Sequence, residues 1–136
     1  MVKLIVGKKG TGKTKHLLDD IKTAVEKQNG SVIFINASDG RMYGVDLSVR
    51  LINAKEYTIN NYNEFLCFIS GASSQNYDIT NIFIDGLFKI VGEDIAGISD
   101  FVKGLNNISE KSGIAFTVTV SADKADIPED VYEFIA

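Results

Sequence analysis

Residues 7–14 read Gly-Lys-Lys-Gly-Thr-Gly-Lys-Thr and directly follow a short apolar run, Val2 to Val6. They match the pattern G-x-x-x-x-G-K-S/T at every fixed position. The apolar run predicts a strand buried on both faces of a parallel sheet. Apolar residues recur at helical spacing from Leu17 to Val25, which predicts a helix after the motif. The sequence therefore places a glycine-rich turn between a strand and a helix.

A glycine-rich turn in this position is suited to binding phosphate. Glycines let backbone N–H groups turn inward around phosphate oxygens, and the helix N-terminus adds its positive dipole end. We expect Lys13 to contact the β- and γ-phosphates of a nucleoside triphosphate, and the Thr14 hydroxyl to bind the bridging Mg²⁺. The predicted nucleotide-binding residues are Gly7, Lys8, Lys9, Gly10, Thr11, Gly12, Lys13 and Thr14.

A second motif is the apolar run Ile82 to Ile84, which ends in Asp85. An acid at the end of a buried strand is expected to hold Mg²⁺ through water, opposite the glycine-rich loop. The alternative is a strand-ending turn, because Gly86 follows. The first motif favours the functional interpretation, so Thr14 and Asp85 are the predicted metal ligands, and Lys13 and Asp85 are predicted catalytic residues.

The rest of the pattern predicts alternating strands and helices. The expected elements after the first helix are a strand at 32–35, a helix from Asn61 to near Gly71, a strand at 82–84, a helix carrying the apolar stripe 95–108, a strand at 114–120 and a short helix after Pro128. This order predicts a three-layer α/β fold, with helices on both faces of a mainly parallel sheet.

The segment 32–52 departs from that regular alternation. Asp39-Gly40 favours a tight turn, and apolar residues alternate from Tyr43 to Leu51. Alternation is typical of a half-buried strand, so we expect an antiparallel edge or a hairpin within 32–52.

Composition limits the class of protein. A chain of 136 residues with 45% apolar content predicts one domain, 1–136. The net charge is −4 without a basic stripe, so nucleic-acid binding is not favoured. Cys67 stands alone between Leu66 and Phe68, which predicts a buried, reduced thiol. The N-terminal apolar run is too short for a signal peptide or a membrane span, so we expect a cytoplasmic protein without membrane contact.

The two motifs together resemble the P-loop NTPase superfamily, and its RecA-like branch fits best. In that branch a strand lies between the P-loop strand and the acid-bearing strand, and it ends in a polar residue near the γ-phosphate. The resemblance implies that the strand 114–120, followed by Ser121, takes this place. The stretch from Asn81 to Leu87 and the overall length are also similar to short bacterial ATP-binding proteins sometimes labelled twitching-motility ATPases.

The sequence departs from that family at the position after Asp85. Many hydrolytic relatives have a glutamate there that orients the attacking water, whereas this chain has Gly86. The resemblance therefore implies slow or partner-stimulated hydrolysis. Thymidine-kinase-like relatives carry a catalytic acid after the second strand, which makes Asp39, near Asn36 and Arg41, a catalytic candidate. The alternative is that Asp39 is a turn residue, because Asp-Gly is a strong turn pair.

Three further features bear on the nucleotide and its partners. Lys8 occupies the position of the additional lysine in deviant P-loops of dimeric ATPases, although a solvated lysine that raises the local potential is the alternative. The guanine signature N/T-K-x-D is replaced by Asp-Lys-Ala-Asp at 123–126, so ATP is favoured over GTP. Arg41 and Arg50 are the only arginines, so a charge-neutralising arginine must come from these or from a partner.

Three functions follow from these observations. The preferred one is an Mg²⁺- and ATP-dependent switch with weak ATPase activity. The second is a small-molecule or nucleoside kinase, which would need an acceptor pocket and a closing lid. The third is a non-enzymatic assembly subunit that self-associates, or binds an unidentified protein, through an exposed edge at Tyr43 to Leu51.

Overall fold

The computed structural model describes residues 1–27, 30–38 and 44–136. Its strands are β1 (Val2–Gly7), β2 (Ser31–Asn36), β3 (Arg50–Asn53), β4 (Ile79–Ile84) and β5 (Ala115–Ser121). Its α-helices are α1 (Lys13–Lys27), α2 (Tyr62–Ser74), α3 (Leu87–Val91) and α4 (Ile98–Ser112), and 3₁₀ helices lie at 54–56, 95–97, 124–126 and 129–134. No helix in the described part of the chain is both long enough and apolar enough to cross a membrane.

The five strands form one sheet in the order β1-β5-β4-β2-β3, and every pair of neighbours is parallel. The predicted α/β fold with a mainly parallel sheet is therefore confirmed. The expected place of the strand 114–120 is also confirmed, because β5 lies between β1 and β4. Gly7 is paired with Ser121 and Ile84 with Val118, so β1, β5 and β4 end at the same edge of the sheet.

The prediction of an antiparallel edge or hairpin at 32–52 is wrong. β3 runs parallel to β2, with Ile33 opposite Arg50 and Asn36 opposite Asn53. Residues 37–49 separate the two strands, and a connection of about a dozen residues is long enough to return the chain for parallel pairing. The turn pair Asp39-Gly40 and Tyr43 lie outside the described residues.

The alternating apolar residues that suggested this hairpin belong, within 44–49, to a loop rather than to a strand. Within 44–49 the backbone turns, because the Val49 N–H donates to the Asp46 carbonyl at 3.1 Å. Val45 and Val49 pack on the core, whereas Leu47 is 84% exposed. The period of two in the sequence therefore does not follow burial, because the apolar residues that pack inward, Val45 and Val49, are four residues apart.

Helices cover both faces of the sheet, as expected for three layers. On one face, Leu17 and Ile21 of α1 pack in a cluster with Ile5, Phe34 and Phe83. The other face is covered by α2, α3 and α4, whose buried residues include Phe65, Ile69, Leu87, Ile90, Ile98, Phe101 and Leu105. The 3₁₀ helix at 129–134 lies where a short helix was predicted, and its Val131 is fully buried.

Helix α2 begins where the capping pattern predicted. The Asn61 side chain accepts a hydrogen bond from the Glu64 N–H at 2.8 Å, and Glu64 accepts from the Asn60 N–H at 2.8 Å. The prediction of a buried Cys67 is wrong, because its thiol is exposed. Phe65 and Ile69 lie one turn apart on the buried face of α2, and Cys67, halfway between them, points away from it.

The contact of α2 with α4 gives a test of the core. Phe101 is fully buried, and its ring stacks on Phe65 with 5.7 Å between centroids. We expect Phe101→Ala to lower the free energy of unfolding by about 3–5 kcal/mol, because it leaves a cavity between the two helices. Urea denaturation measures this change. Asn107→Ala, at an exposed position of the same helix, is the control and should change stability by less than about 0.5 kcal/mol.

Candidate functional site

A cleft of about 520 Å³ opens at the carboxyl edge of the sheet. Clefts at this edge are the usual ligand sites of open α/β folds. Its lining comes from the glycine-rich loop, from the ends of β2, β4 and β5, and from α3. The lining residues are Lys9, Gly10, Gly12, Lys13, Thr14, Asn36, Ala37, Ser38, Asp85, Gly86, Lys89, Thr119 and Ser121. The two sequence motifs, far apart along the chain, therefore meet in one cleft.

The loop that leads into α1 is held by its own backbone. Gly10 and Gly12 both have φ of +84°, a left-handed conformation that glycine adopts without strain. The Lys8 carbonyl accepts hydrogen bonds from the Lys13 ammonium at 2.9 Å and from the Thr11 hydroxyl at 2.7 Å. Lys13 thus folds back over the loop, with its charge at the cleft.

The two lysines in the middle of the loop have different surroundings. The Lys8 side chain is 75% exposed and forms an ion pair with Asp123 at 3.7 Å. An exposed pair of this kind contributes little stability. Lys9 instead lines the cleft, whereas Gly7 and Thr11 line a smaller hollow beside it, together with His16 and Ala136.

Asp85 is the central acid of the cleft and is held by two neighbouring strands. Its backbone N–H donates to the Ile35 carbonyl of β2 at 2.9 Å. Its carboxylate accepts a hydrogen bond of 2.7 Å from the Thr119 hydroxyl of β5. That hydroxyl in turn accepts from the Gly86 N–H at 2.7 Å. Because a threonine hydroxyl has one hydrogen, its proton is committed to Asp85 and fixes the orientation of the carboxylate.

The Thr14 hydroxyl faces the same carboxylate from the loop. Its oxygen lies 3.2 Å from Oδ2 and 3.4 Å from Oδ1 of Asp85. These distances exceed the usual O–H···O range of about 2.5–3.0 Å, so the direct contact is weak. The Thr14 hydroxyl and the Asp85 carboxylate therefore face each other without a strong hydrogen bond between them.

These two side-chain groups suit a magnesium ion that is coordinated mainly by phosphate oxygens and water. The described residues contain no group of three or more His, Cys, Asp or Glu side chains that would cage a metal. Mg²⁺ is commonly bound through one or two protein oxygens, with phosphate oxygens and water completing its shell. The Thr14 hydroxyl and the Asp85 carboxylate fit that requirement.

The electrostatics of the cleft show in Lys13. Burial lowers the pKa of its ammonium below the ordinary value, Asp85 opposes this shift, and the positive charge of Lys89 adds to it. Lys9, Lys13 and Lys89 line the cleft, whereas Asp85 is the one carboxylate among its described lining residues. The cleft therefore has a surplus of positive charge, as an anion-binding site requires.

Gly86, directly after Asp85, has a backbone that disfavours any other residue. Its φ is +78°, and a methyl group added to it would lie 3.3 Å from Cδ of Lys89. A glutamate at this position would therefore adopt a strained left-handed conformation. The chain has glycine rather than glutamate after Asp85, and the backbone conformation of this turn favours glycine.

The other predicted residues are distributed as follows. Asn36 and Ser121 line the cleft at the ends of β2 and β5. Arg50 lies elsewhere, in a cleft of about 610 Å³ between α2 and the β3 edge of the sheet, together with Cys67. That second cleft is larger, but it contains neither motif. Asp39 and Arg41 lie outside the described residues.

Two residues of the cleft were missed by sequence reasoning, Thr119 and Lys89. Thr119 lies within a run that was interpreted only as a buried strand, although Thr117 and Thr119 give that run an alternating polar signal. Lys89 lies in α3, a five-residue helix that was not predicted. No sequence signal indicated that Lys89 reaches the cleft.

Comparison of the chain with models of protein families and with curated proteins found no match.

The bonds of Thr119 give a second test. Thr119→Val keeps the shape of the side chain but leaves the Gly86 N–H and one Asp85 oxygen without their partner. We expect unfolding free energy to fall by about 1–3 kcal/mol, the usual cost of an unsatisfied buried polar group. Thr119→Ser should keep most of the stability, since it keeps the hydroxyl.

Thr117→Val is the matched control, at a buried position of the same strand. Urea denaturation of the three variants decides the outcome. An equal effect of Thr117→Val and Thr119→Val would contradict the assigned hydrogen bonds.

Proposed function

We propose that this chain is an Mg²⁺-dependent, ATP-binding P-loop protein that hydrolyses ATP slowly or on stimulation by a partner, and acts as a nucleotide-dependent switch. One observation carries the proposal: Thr14, the last residue of the glycine-rich motif, faces Asp85 at 3.2 Å, beside Lys13. A hydroxyl, a carboxylate and a lysine converge as binding of a metal-bridged polyphosphate requires.

The strand order supports membership of the RecA-like branch of P-loop NTPases. β5 lies between the strand that leads into the loop and the strand that ends in Asp85. It ends in Ser121, which lines the cleft. This arrangement is the one that the resemblance implied.

Slow turnover is supported by the absence of a second carboxylate among the described lining residues. A general base must lie within hydrogen-bond reach of the attacking water, directly or through another water. Asp85 is engaged by Thr119 and faces Thr14, and Gly86 offers no side chain. The described cleft thus binds phosphate better than it activates water, which is the property of a switch. Asp39 remains a predicted catalytic residue.

The first experiment measures binding of ATP and of GTP by calorimetry for wild type, Lys13→Ala and Lys15→Ala. Each nucleotide is titrated with and without Mg²⁺. We expect Lys13→Ala to weaken Mg-ATP binding at least tenfold, roughly the effect of losing one charge-assisted hydrogen bond. Lys15 is exposed on α1 and does not line the cleft, so Lys15→Ala controls for net charge.

Phosphate release from the same samples then separates a switch from an enzyme. Slow release with tight binding supports the switch. Equal binding by wild type and Lys13→Ala, or no binding by wild type, would overturn the proposed phosphate site. A nucleoside screen for faster ADP formation tests the kinase alternative.

The exposed edge of the sheet favours assembly as a second candidate function. β3 ends the strand order, and Leu47 and Leu51 near it are 84% and 44% exposed. An exposed edge strand offers unpaired backbone groups to another chain. The candidate segment for pairing is therefore β3 with the loop before it, in place of the predicted edge from Tyr43 to Leu51.

Gel filtration with and without Mg-ATP tests assembly. We expect a nucleotide-dependent shift to larger size in wild type and its loss in Leu51→Lys, because a charge on an edge strand opposes pairing. Tyr77→Lys, at a fully exposed position outside the sheet, is the control. A monomer under all conditions would exclude self-assembly.

A further inference from the structure

Among the described residues that line the cleft, Lys89 is the one cation outside the glycine-rich loop. It sits in the first turn of α3, and its N–H donates to the Gly86 carbonyl at 3.0 Å. A methyl group on Gly86 would lie within 3.3–3.7 Å of Cδ, Cβ and Cγ of Lys89, so the side-chain stem runs alongside Gly86. Helical side chains point toward the N-terminus of their helix, which directs this one to the cleft.

The helix that carries Lys89 is firmly anchored. Leu87, Ile90 and Val91 are each 7% exposed or less and belong to the core cluster. Lys89 itself is exposed. The backbone beneath the lysine is therefore held by packing, while its ammonium is free to meet a ligand.

The charge of Lys89 has no partner within the described ranges. It forms no salt bridge there, whereas Lys3, Lys8 and Lys103 each pair with an aspartate. Asp85, the one carboxylate among the described residues that line the cleft, faces Thr119 and Thr14. Lys89 is close enough to Lys13 for its charge to depress the pKa of that ammonium. An anion placed between the two lysines would relieve their repulsion.

The two lysines approach the cleft from different sides. The Lys13 ammonium is tied to the Lys8 carbonyl on the loop side. The Lys89 stem runs alongside Gly86, the residue after Asp85, and Lys89 lines the same cleft as Asp85 and Thr14, where the metal and the terminal phosphate are expected. The described arginine, Arg50, lies in another cleft and supplies no charge here.

We propose that Lys89 binds the terminal phosphate of the bound nucleoside triphosphate and makes the site distinguish triphosphate from diphosphate. This inference rests on the proposed ATP-binding function and assigns a specificity residue to that same site. Lys89 would then neutralise charge on the phosphate. From the sequence alone, an arginine or a partner protein was expected in this role.

The test compares Mg-ATP and Mg-ADP affinities by calorimetry for wild type, Lys89→Gln, Lys89→Arg and Lys111→Gln. We expect Lys89→Gln to weaken Mg-ATP binding by about tenfold or more, as for loss of one charge-assisted hydrogen bond. Its effect on Mg-ADP should be less than about twofold, because a charge away from its phosphate is screened by salt. Lys89→Arg should retain the preference for ATP.

Lys111→Gln makes the same charge change at an exposed residue near the end of α4 and should leave both affinities unchanged. Melting curves verify that each variant is folded. If wild type binds Mg-ATP but Lys89→Gln loses no affinity, or loses it equally for ATP and ADP, the role of Lys89 is overturned and the proposed function stands. If wild type binds neither nucleotide, both proposals fail together.

Discussion

The parallel pairing of β5 with both β1 and β4 is the constraint on which the cleft depends. It brings the end of the first strand, the polar end of β5 and Asp85 to one edge of the sheet. The chain of hydrogen bonds from Gly86 through Thr119 to Asp85 then fixes the carboxylate relative to that edge. Without β5 in this position, the loop and the acid would have no common framework, however well each motif is formed.

Charge decides what such a cleft can hold. Three lysines and one carboxylate line its described part, and the pKa of Lys13 is lowered mainly by burial, with a smaller contribution from the charge of Lys89. A polyphosphate with a divalent cation would compensate the lysines and complete the ligand set of Thr14 and Asp85. The same surplus of positive charge would make the site sensitive to the number of phosphates. Each phosphate that a nucleotide lacks leaves the same three lysines with one anionic group fewer.

The turn at Gly86 bears on the expected rate of ATP hydrolysis. Its left-handed backbone permits the Gly86 N–H to reach Thr119 and leaves room for the stem of Lys89. The same conformation disfavours a side chain that would orient water. The turn therefore combines a fixed carboxylate, Asp85, with a nearby cation, Lys89, and places no second acid beside them. Under the proposed function, such a site would hold a triphosphate rather than cleave it.

The sequence by itself determined the features that depend on neighbouring residues: the glycine-rich turn between β1 and α1, the cap of α2 by Asn61, the buried strand before Asp85 and the α/β class. Periodicity and local hydrogen bonding decide these, so they can be predicted from short stretches. Tertiary structure alone decided the parallel return of β3, the exposure of Cys67, the bond of Thr119 to Asp85 and the approach of Lys89 to the cleft. Each of these joins residues distant in sequence or depends on which face of an element is covered. A local pattern does not identify the strand that lies next to another, nor the distant residue that a side chain meets.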